Sequence, residues 1–250
     1  MCLISFQWHP QQDPILTLVA NRDEFHARAA QQAHRWADHP HMYAGKDLSA
    51  GGTWLGVTTD GRFAALTNVR QLPATYKGTL SRGQLVSHFL QQSHSPLEYA
   101  NQVFEQGHAY DGFNLIVGNR QDCVYVSNRG TQGPTVLQPG IYGLCNAQLD
   151  TPWPKLAYAK EQLATWLEDE EPIQPVHELL HRRAPFHPDT LPDTGVGAEW
   201  EHLLSSPFIV SEHYGTRAST ALSIRQDSVF FAEASFDASG QETDYIEFEF

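Results

Sequence analysis

The sequence predicts an α+β fold on three observations. Strands come in antiparallel pairs at both ends of the 250-residue chain, helices group in the middle, and no strand–helix alternation builds a parallel sheet. Residues Cys2–Trp8 place Cys2, Ile4, Phe6 and Trp8 on one face by the two-residue period of a strand. Residues His9–Pro14 are turn chemistry, and Ile15–Ala20 form a short, continuously apolar second strand. The two strands should pair as a hairpin. That pairing carries the end of the second strand, Asn21-Arg22-Asp23-Glu24, back beside Cys2.

Further along, Trp54–Thr58 and Arg62–Val69 flank Asp60-Gly61, a hairpin signal. Ser81–Gln91 read as a helix capped by Ser81. Ser95 opens a second helix, with Pro96 at its first position and Glu98 completing a capping box, and Gly107 stops it. Phe113–Val117 and Cys123–Ser127 form another hairpin, and Ile141–Cys145 a further strand. Thr151-Pro152 begin a third helix running to about Glu168, with Leu156, Ala159, Leu163 and Trp166/Leu167 as its apolar stripe. Val176, Leu179 and Leu180 mark a fourth. Residues Ala184–Ser206, rich in Pro and Gly, read as a surface excursion. Strands at Phe208–Val210, Ala218–Arg225, Val229–Ser235 and Asp244–Phe250 close the chain. No repeat or linker divides it, so residues 1–250 are expected to form one domain.

Composition narrows the function. Lys+Arg number 16 against 29 Asp+Glu, a net charge of −13, which disfavours nucleic acid and anionic membrane surfaces as partners. No apolar run approaches the ~20 residues of a membrane span. Cys2, Cys123 and Cys145 are too few for a disulfide framework, and the start of the chain has no basic, then apolar, secretion signal. These features point to a soluble, acidic, cytoplasmic protein with no membrane insertion.

One cysteine stands apart because it is the second residue. Removal of Met1 would leave a thiol and a free α-amine on Cys2. An α-amine titrates at about 7.7–8.0, so nucleophile and base would share one residue, an arrangement that suits acyl transfer. Arg22 and Asp23 at the end of the partner strand fit that chemistry. A guanidinium favours the thiolate, and a carboxylate holds the amine. Read without that context, Cys2 is a small buried strand residue, and Arg22-Asp23 belong to a surface ion pair with Glu24 or Arg28. Asn68 and Asn146 follow predicted strands, where Asn is a common turn residue. Arg217 alone would be a strand-edge charge.

Met-Cys at the start, the Asn21-Arg22-Asp23-Glu24 tetrapeptide, GGTWLG at 51–56, TNVR at 67–70 and SRG at 81–83 occur in order along the chain. GFNL at 112–115, LCNAQLDTPWPK at 144–155 and YGTRAST at 214–220 complete the set. Together they resemble the NRDE family, which includes the transport and Golgi organisation protein 2 relatives. Cys145 departs from the pattern, since Ser is commoner before that Asn. The family in turn looks like the N-terminal nucleophile hydrolases, with bile-salt hydrolase and penicillin V acylase as the functional comparison. The resemblance implies a four-layer αββα sandwich of two stacked antiparallel sheets. It also implies roles: Cys2 the nucleophile and base, Arg22 beside the thiol, Asp23 on the amine. Asn68 (backbone N–H) and Asn146 (side chain) would be oxyanion donors, and Arg217 would organise Asp23 and Cys2. The activity implied is cofactor-free hydrolysis of a nonpeptide amide C–N bond in a small acylated metabolite.

The other reading is a non-catalytic protein that binds or traffics haem or another small hydrophobic metabolite. Its support in the residues is a possible aromatic pocket and 13 histidines. His34, His39 and His41 are expected in one polar loop, and His177 and His181 are four apart on an expected helix. No Cys-x-x-Cys or His-Glu-x-x-His spacing accompanies them, so neither a metal nor a resident cofactor is expected. Gly51-Gly52, Trp54 and Asp150–Trp153 read as architecture, with Trp54, Trp153 and Tyr214 as candidate pocket walls.

Overall fold

The structure is a computed structural model that describes residues 2–70, 78–169 and 175–250. Its elements in chain order are β1 (Cys2–Trp8), β2 (Leu16–Phe25), β3 (Ala30–Trp36), β4 (His39–Asp47), β5 (Leu55–Thr58), β6 (Phe63–Asn68), α1 (Gly83–Gln91) and α2 (Pro96–Glu105). There follow β7 (Phe113–Gly118), β8 (Cys123–Ser127), β9 (Thr135–Val136), β10 (Gly140–Leu144), α3 (Pro154–Glu168), α4 (Ala198–Leu203), β11 (Tyr214–Ile224), β12 (Val229–Phe236) and β13 (Glu242–Glu249). One sheet runs β10-β1-β2-β11-β12-β13 and the other β3-β4-β5-β6-β7-β8-β9, with every described pairing antiparallel.

Alternation along the strands stacks the sheets face to face. Ile4, Phe6 and Trp8 on β1, Leu16 and Leu18 on β2, and Leu222, Ile224 and Phe231 meet Leu55, Val57, Phe63 and Ile116 of the other sheet in one buried core. The outer face of the second sheet carries α1 and α2 through Leu85, Phe89, Tyr99 and Val103. The outer face of the first carries α3 through Leu156 and Ala159, packed on Leu3, Val19 and Cys145. The layers are therefore α3, sheet, sheet, α1–α2: the expected α+β αββα sandwich.

The capping box forms as read: Ser95 Oγ accepts from Glu98 N–H, and Glu98 Oε2 accepts from Ser95 N–H. Several expectations need correction. β2 runs on to Phe25 because β11 pairs with it as far as Tyr214, so the tetrapeptide lies within a strand. β11 likewise starts at Tyr214, four residues early. Three strands, β3, β4 and the two-residue β9, went unforeseen; register shifts in the pairing of β3 with β4 break the alternation of apolar residues in β3. Arg82, not Ser81, is the residue before α1, and no side chain caps that helix. The fourth helix is a single 3₁₀ turn, Val176–Glu178. Residues 208–210 form no strand; Phe208 is buried against Phe236 and His181. The excursion at 184–206 contains α4 and buries Glu201. No helix among the described residues is long and apolar enough to cross a membrane.

Candidate active site

Register builds the site. Cys2 pairs with Arg22 across β1–β2, and Ala218 pairs with Arg22 on the other side. Their side chains continue the face of Ile4 and Ala20, so the thiol and the guanidinium point between the sheets. Asp23 is one residue on and faces the α3 side, where Thr216 Oγ1 donates to its carboxylate at 2.8 Å. The two faces of one strand end thus divide the labour, with thiol and guanidinium inside and carboxylate outside. Cys2, Arg22 and Asp23 are buried. They border a cleft of about 390 Å³ whose walls include Trp54, Asn68 and Arg82. Arg22 lies over the Trp54 ring at 4.2 Å. A side chain at Gly45 would strike that indole, so Gly45 makes room for it.

Asn68 closes the cleft from the second sheet. Leu66 N–H donates to Trp54 O and Arg70 N–H donates to Asn146 O. The two-residue period turns Asn68 N–H to the same side, between those two bonds and away from β7. Asn68 O points the same way and accepts from Asn146 Nδ2 at 2.9 Å. One amide proton of Asn146 is used in that bond, and the second makes no bond to another described residue. The structure thus joins Cys2, Arg22, Asp23, Asn68 and Asn146 in one neighbourhood. Arg217 is placed differently. It occupies the β-bulge between Thr216 and Ala218, and its Nη1 lies 3.0 Å from His26 Nδ1.

Electrostatics follow burial. Desolvation pushes the Cys2 thiol up, Asp23 adds to this, and Arg22 pulls the other way. Burial likewise raises Asp23, against the pull of Lys155, Thr216 and Arg22. Burial also raises Cys145, which faces α3 rather than the cleft. Cys123 is a core residue.

Sequence reasoning missed Lys155. It is buried, its Nζ donates to Leu204 O at 3.0 Å and approaches Asn146 Oδ1 at 3.5 Å. Desolvation lowers its pKa, while Cys145 and Asp23 support its charge. A lysine in the first turn of a helix reads as a solvated cation. Only its place at the end of LCNAQLDTPWPK marks it otherwise. Glu201 was missed too. It leaves the excursion to meet Arg70 at 2.6 Å in a buried ion pair, and Arg70 lies over Trp153.

Among the described residues no group of three metal-ligating side chains converges. His177 and His181 stand with ring centroids 6.3 Å apart, and His181 Nε2 meets Ser219 Oγ at 3.0 Å.

Among the solved structures that align with most of the chain are these two. One is a conjugated bile acid hydrolase from Clostridium perfringens, with TM-score 0.49, 10% identity and coverage of 99% of this chain and 92% of that one. The other is the N-acylethanolamine-hydrolyzing acid amidase ortholog of Caenorhabditis elegans, with TM-score 0.48, 12% identity and coverage of 89% and 92%. Sequence relatives are much nearer. The Transport and Golgi organization 2 homolog of Mus musculus is 36% identical over 280 residues, covering 99% of both chains. The Homo sapiens homolog is 36% identical over 275 residues with the same coverage. The Drosophila melanogaster protein is 28% identical over 253 residues, covering 91% of this chain and 89% of its own. The sequence model of the family described as Transport and Golgi organisation 2 matches residues 1–238, and this chain belongs to that family.

Proposed function

We propose that the chain is an N-terminal cysteine hydrolase that cleaves the amide C–N bond of a small acylated metabolite. One observation carries the reading: the strand register that sets Cys2 against Arg22 and seats Asp23 beside them on a cleft that Asn68 also lines, with Asn146 at the end of the neighbouring strand β10 and bonded to Asn68 O. The mechanism requires removal of Met1, which lies outside the described residues. The freed α-amine, held by Asp23, takes the thiol proton, and Arg22 stabilises the thiolate. Sulfur attacks the carbonyl carbon. The oxyanion receives Asn68 N–H and the second amide proton of Asn146; one such donor contributes about 2.7–4 kcal/mol. The C–N bond breaks as the α-ammonium returns its proton to the leaving amine. The amine then activates water, which hydrolyses the thioester and restores the thiol.

Two measurements test this. The intact mass of protein from its own host should lack one Met residue. Incubated with short N-acyl amides, that protein should release amine and pass through an acyl adduct on Cys2, and Cys2→Ala should do neither. Equal turnover by Cys2→Ala, or a retained Met1, overturns the proposal.

A further inference from the structure

Three guanidiniums border the cleft, and each is held differently. Arg28 Nε lies 2.7 Å from Asp47 Oδ2 and 3.8 Å from Glu24 Oε2. Arg82 donates to Gly112 O at 3.1 Å, and Asp111 and Glu24 support its charge. The Arg22 side chain makes no hydrogen bond or ion pair with a described residue. Its partner is the Trp54 indole, with the guanidinium carbon 4.2 Å from the ring centre. Arg22 is nonetheless buried, paired across β1–β2 with Cys2. The cation that faces the thiol is therefore placed by a ring and not by an acid.

That difference has chemical consequences. A carboxylate bonded to Arg22 would neutralise it and weaken its pull on a thiolate. An aromatic face attracts a guanidinium and leaves its charge intact. Stacking occupies the flat face of the guanidinium, whereas its N–H groups donate in the plane, so the ring does not compete with sulfur for donors. The chain fixes the ring in turn. Trp54 O accepts from Leu66 N–H, and the indole packs on the inter-sheet core. A Cβ on Gly45 would lie 2.3 Å from Trp54 Cη2, so that glycine leaves the ring its seat. The indole N–H is buried and bonds to no described residue, so the flat face of Trp54 carries the contact and its polar edge does not.

We propose that Trp54 is a positioning residue: its indole holds the Arg22 guanidinium beside the Cys2 thiol, and so sets how readily that thiol ionises. Other charged groups besides the α-amine set the background. Asp23 and Glu24 oppose ionisation from β2. Lys155 on α3, Arg82 before α1 and Tyr214 on β11 are also close enough to feel a thiolate. Glu233 on β12 feels Arg22 from one row deeper, without a bond to it. Asp23, Lys155, Arg82 and Glu233 are tied to Thr216, Leu204, Gly112 and Ala33 respectively, so loss of the ring should release Arg22 alone. The catalytic value of this device rests on the hydrolase reading, but the ionisation it controls does not.

Alkylation of Cys2 by iodoacetamide, followed across pH on the full chain, tests this without turnover. Reading the rate by mass on the Cys2 peptide keeps Cys123 and Cys145 out of it. In folded Trp54→Leu the pH midpoint of Cys2 alkylation should rise by about one unit, a tenfold loss of thiolate below it. Trp54→Phe keeps an aromatic face and should restore most of the shift. Arg22→Gln should raise the midpoint at least as far, and adding Trp54→Leu to it should move it no further. Gly45→Ala, which crowds the edge of the ring, should move the midpoint the same way, and it decides the question if Trp54→Leu does not fold. An unchanged midpoint in the folded variant, an undiminished Trp54 shift in the Arg22→Gln background, or a Cys2 that reacts at no pH overturns the proposal. A Trp54-dependent midpoint without amide hydrolysis sinks only the hydrolase reading. Hydrolysis with a midpoint indifferent to Trp54 sinks only the positioning role.

Discussion

β1, β2 and β11 run side by side, yet their two ends are different materials. At one end Trp8, Leu16 and Ile224 are paired and fully buried in the inter-sheet core. At the other, Cys2, Arg22 and Ala218 occupy the equivalent row, and the core gives way to a cleft lined with charge. The hydrogen-bond ladder is the same throughout. What changes is the content of the inward face, which goes from apolar packing to the buried thiol and guanidinium that border the cleft. The apolar end supplies stability, and the charged end spends it by holding Asp23, Arg22 and Lys155 out of water.

Substitutions at the two ends should therefore separate activity from stability. Cys2→Ala should remove about 10⁴-fold or more of amide turnover, the scale of losing a nucleophile, with a nearly unchanged urea midpoint. Phe6→Ala, two rows into the core, should cost about 3–5 kcal/mol of stability while correctly folded protein keeps its turnover number. If Cys2→Ala destabilises the chain as much as Phe6→Ala does, the charged end is merely core. Asn146→Ala comes next. Loss of one oxyanion donor predicts a fall of about 10²–10³ in kcat. Its bond to Asn68 O adds only about 1 kcal/mol of destabilisation. A change in KM alone would place Asn146 outside the reaction.

The apolar end was almost wholly legible from sequence, because the period of two in residues 2–8 and the apolar run of 15–20 leave one way to pair. The charged end was legible only through motif resemblance. Asp23 and Arg22 look like an exposed ion pair until β11 covers them, and that pairing spans almost the entire chain. Lys155 and Glu201 are harder still. Each is a charged residue whose partner lies 49 or 131 positions away, Leu204 for one and Arg70 for the other, so no local pattern encodes its burial. β3 and β4 failed for a different reason. Register shifts set the buried residues Ala33 and Trp36 of β3 three apart instead of two, and β4 offers only the short alternation of Met42 and Ala44. The 3₁₀ turn at 176–178 shows the reverse error. Apolar spacing suggested a helix, but Leu180 O instead accepts from Asn21 Nδ2, which ends the turn against β2.

Asn21 thus clamps the chain from outside, taking Leu180 O at 3.0 Å and Pro207 O at 2.9 Å, while its neighbours serve the cleft. Lys155 bridges the two jobs. Lys155→Met should lower kcat about tenfold, the value of one lost hydrogen bond to Asn146, and leave KM unchanged. Lys155→Arg should rescue part of it. A loss of stability with full kcat in the remaining folded protein would show that Lys155 only ties down Leu204.

The smallest effect probes the boundary between the two ends, where adjacent residues of β11, Ser219 and Thr220, bond to two groups with opposite titrations. On the inner face Thr220 Oγ1 and Ala33 N–H bond to Glu233, whose carboxyl burial pushes up to about 7. On the outer face Ser219 Oγ meets His181, whose ring burial pushes down to about 4. Glu233 is raised, so its contribution is complete below its ordinary value of 4.5 and is lost as pH rises through 7. His181 is lowered, so its contribution is complete above 6.5 and is lost as pH falls through 4. Across the shared window the two slopes oppose each other. Glu233→Gln should unmask the histidine: relative to wild type, its unfolding free energy should fall more steeply as pH drops from 7 to 4.5. His181→Asn should do the opposite. Urea unfolding at half-unit pH steps reads both. Identical pH profiles for wild type and Glu233→Gln would mean that the inner face is already as wet at the middle of the strands as it is beside Cys2.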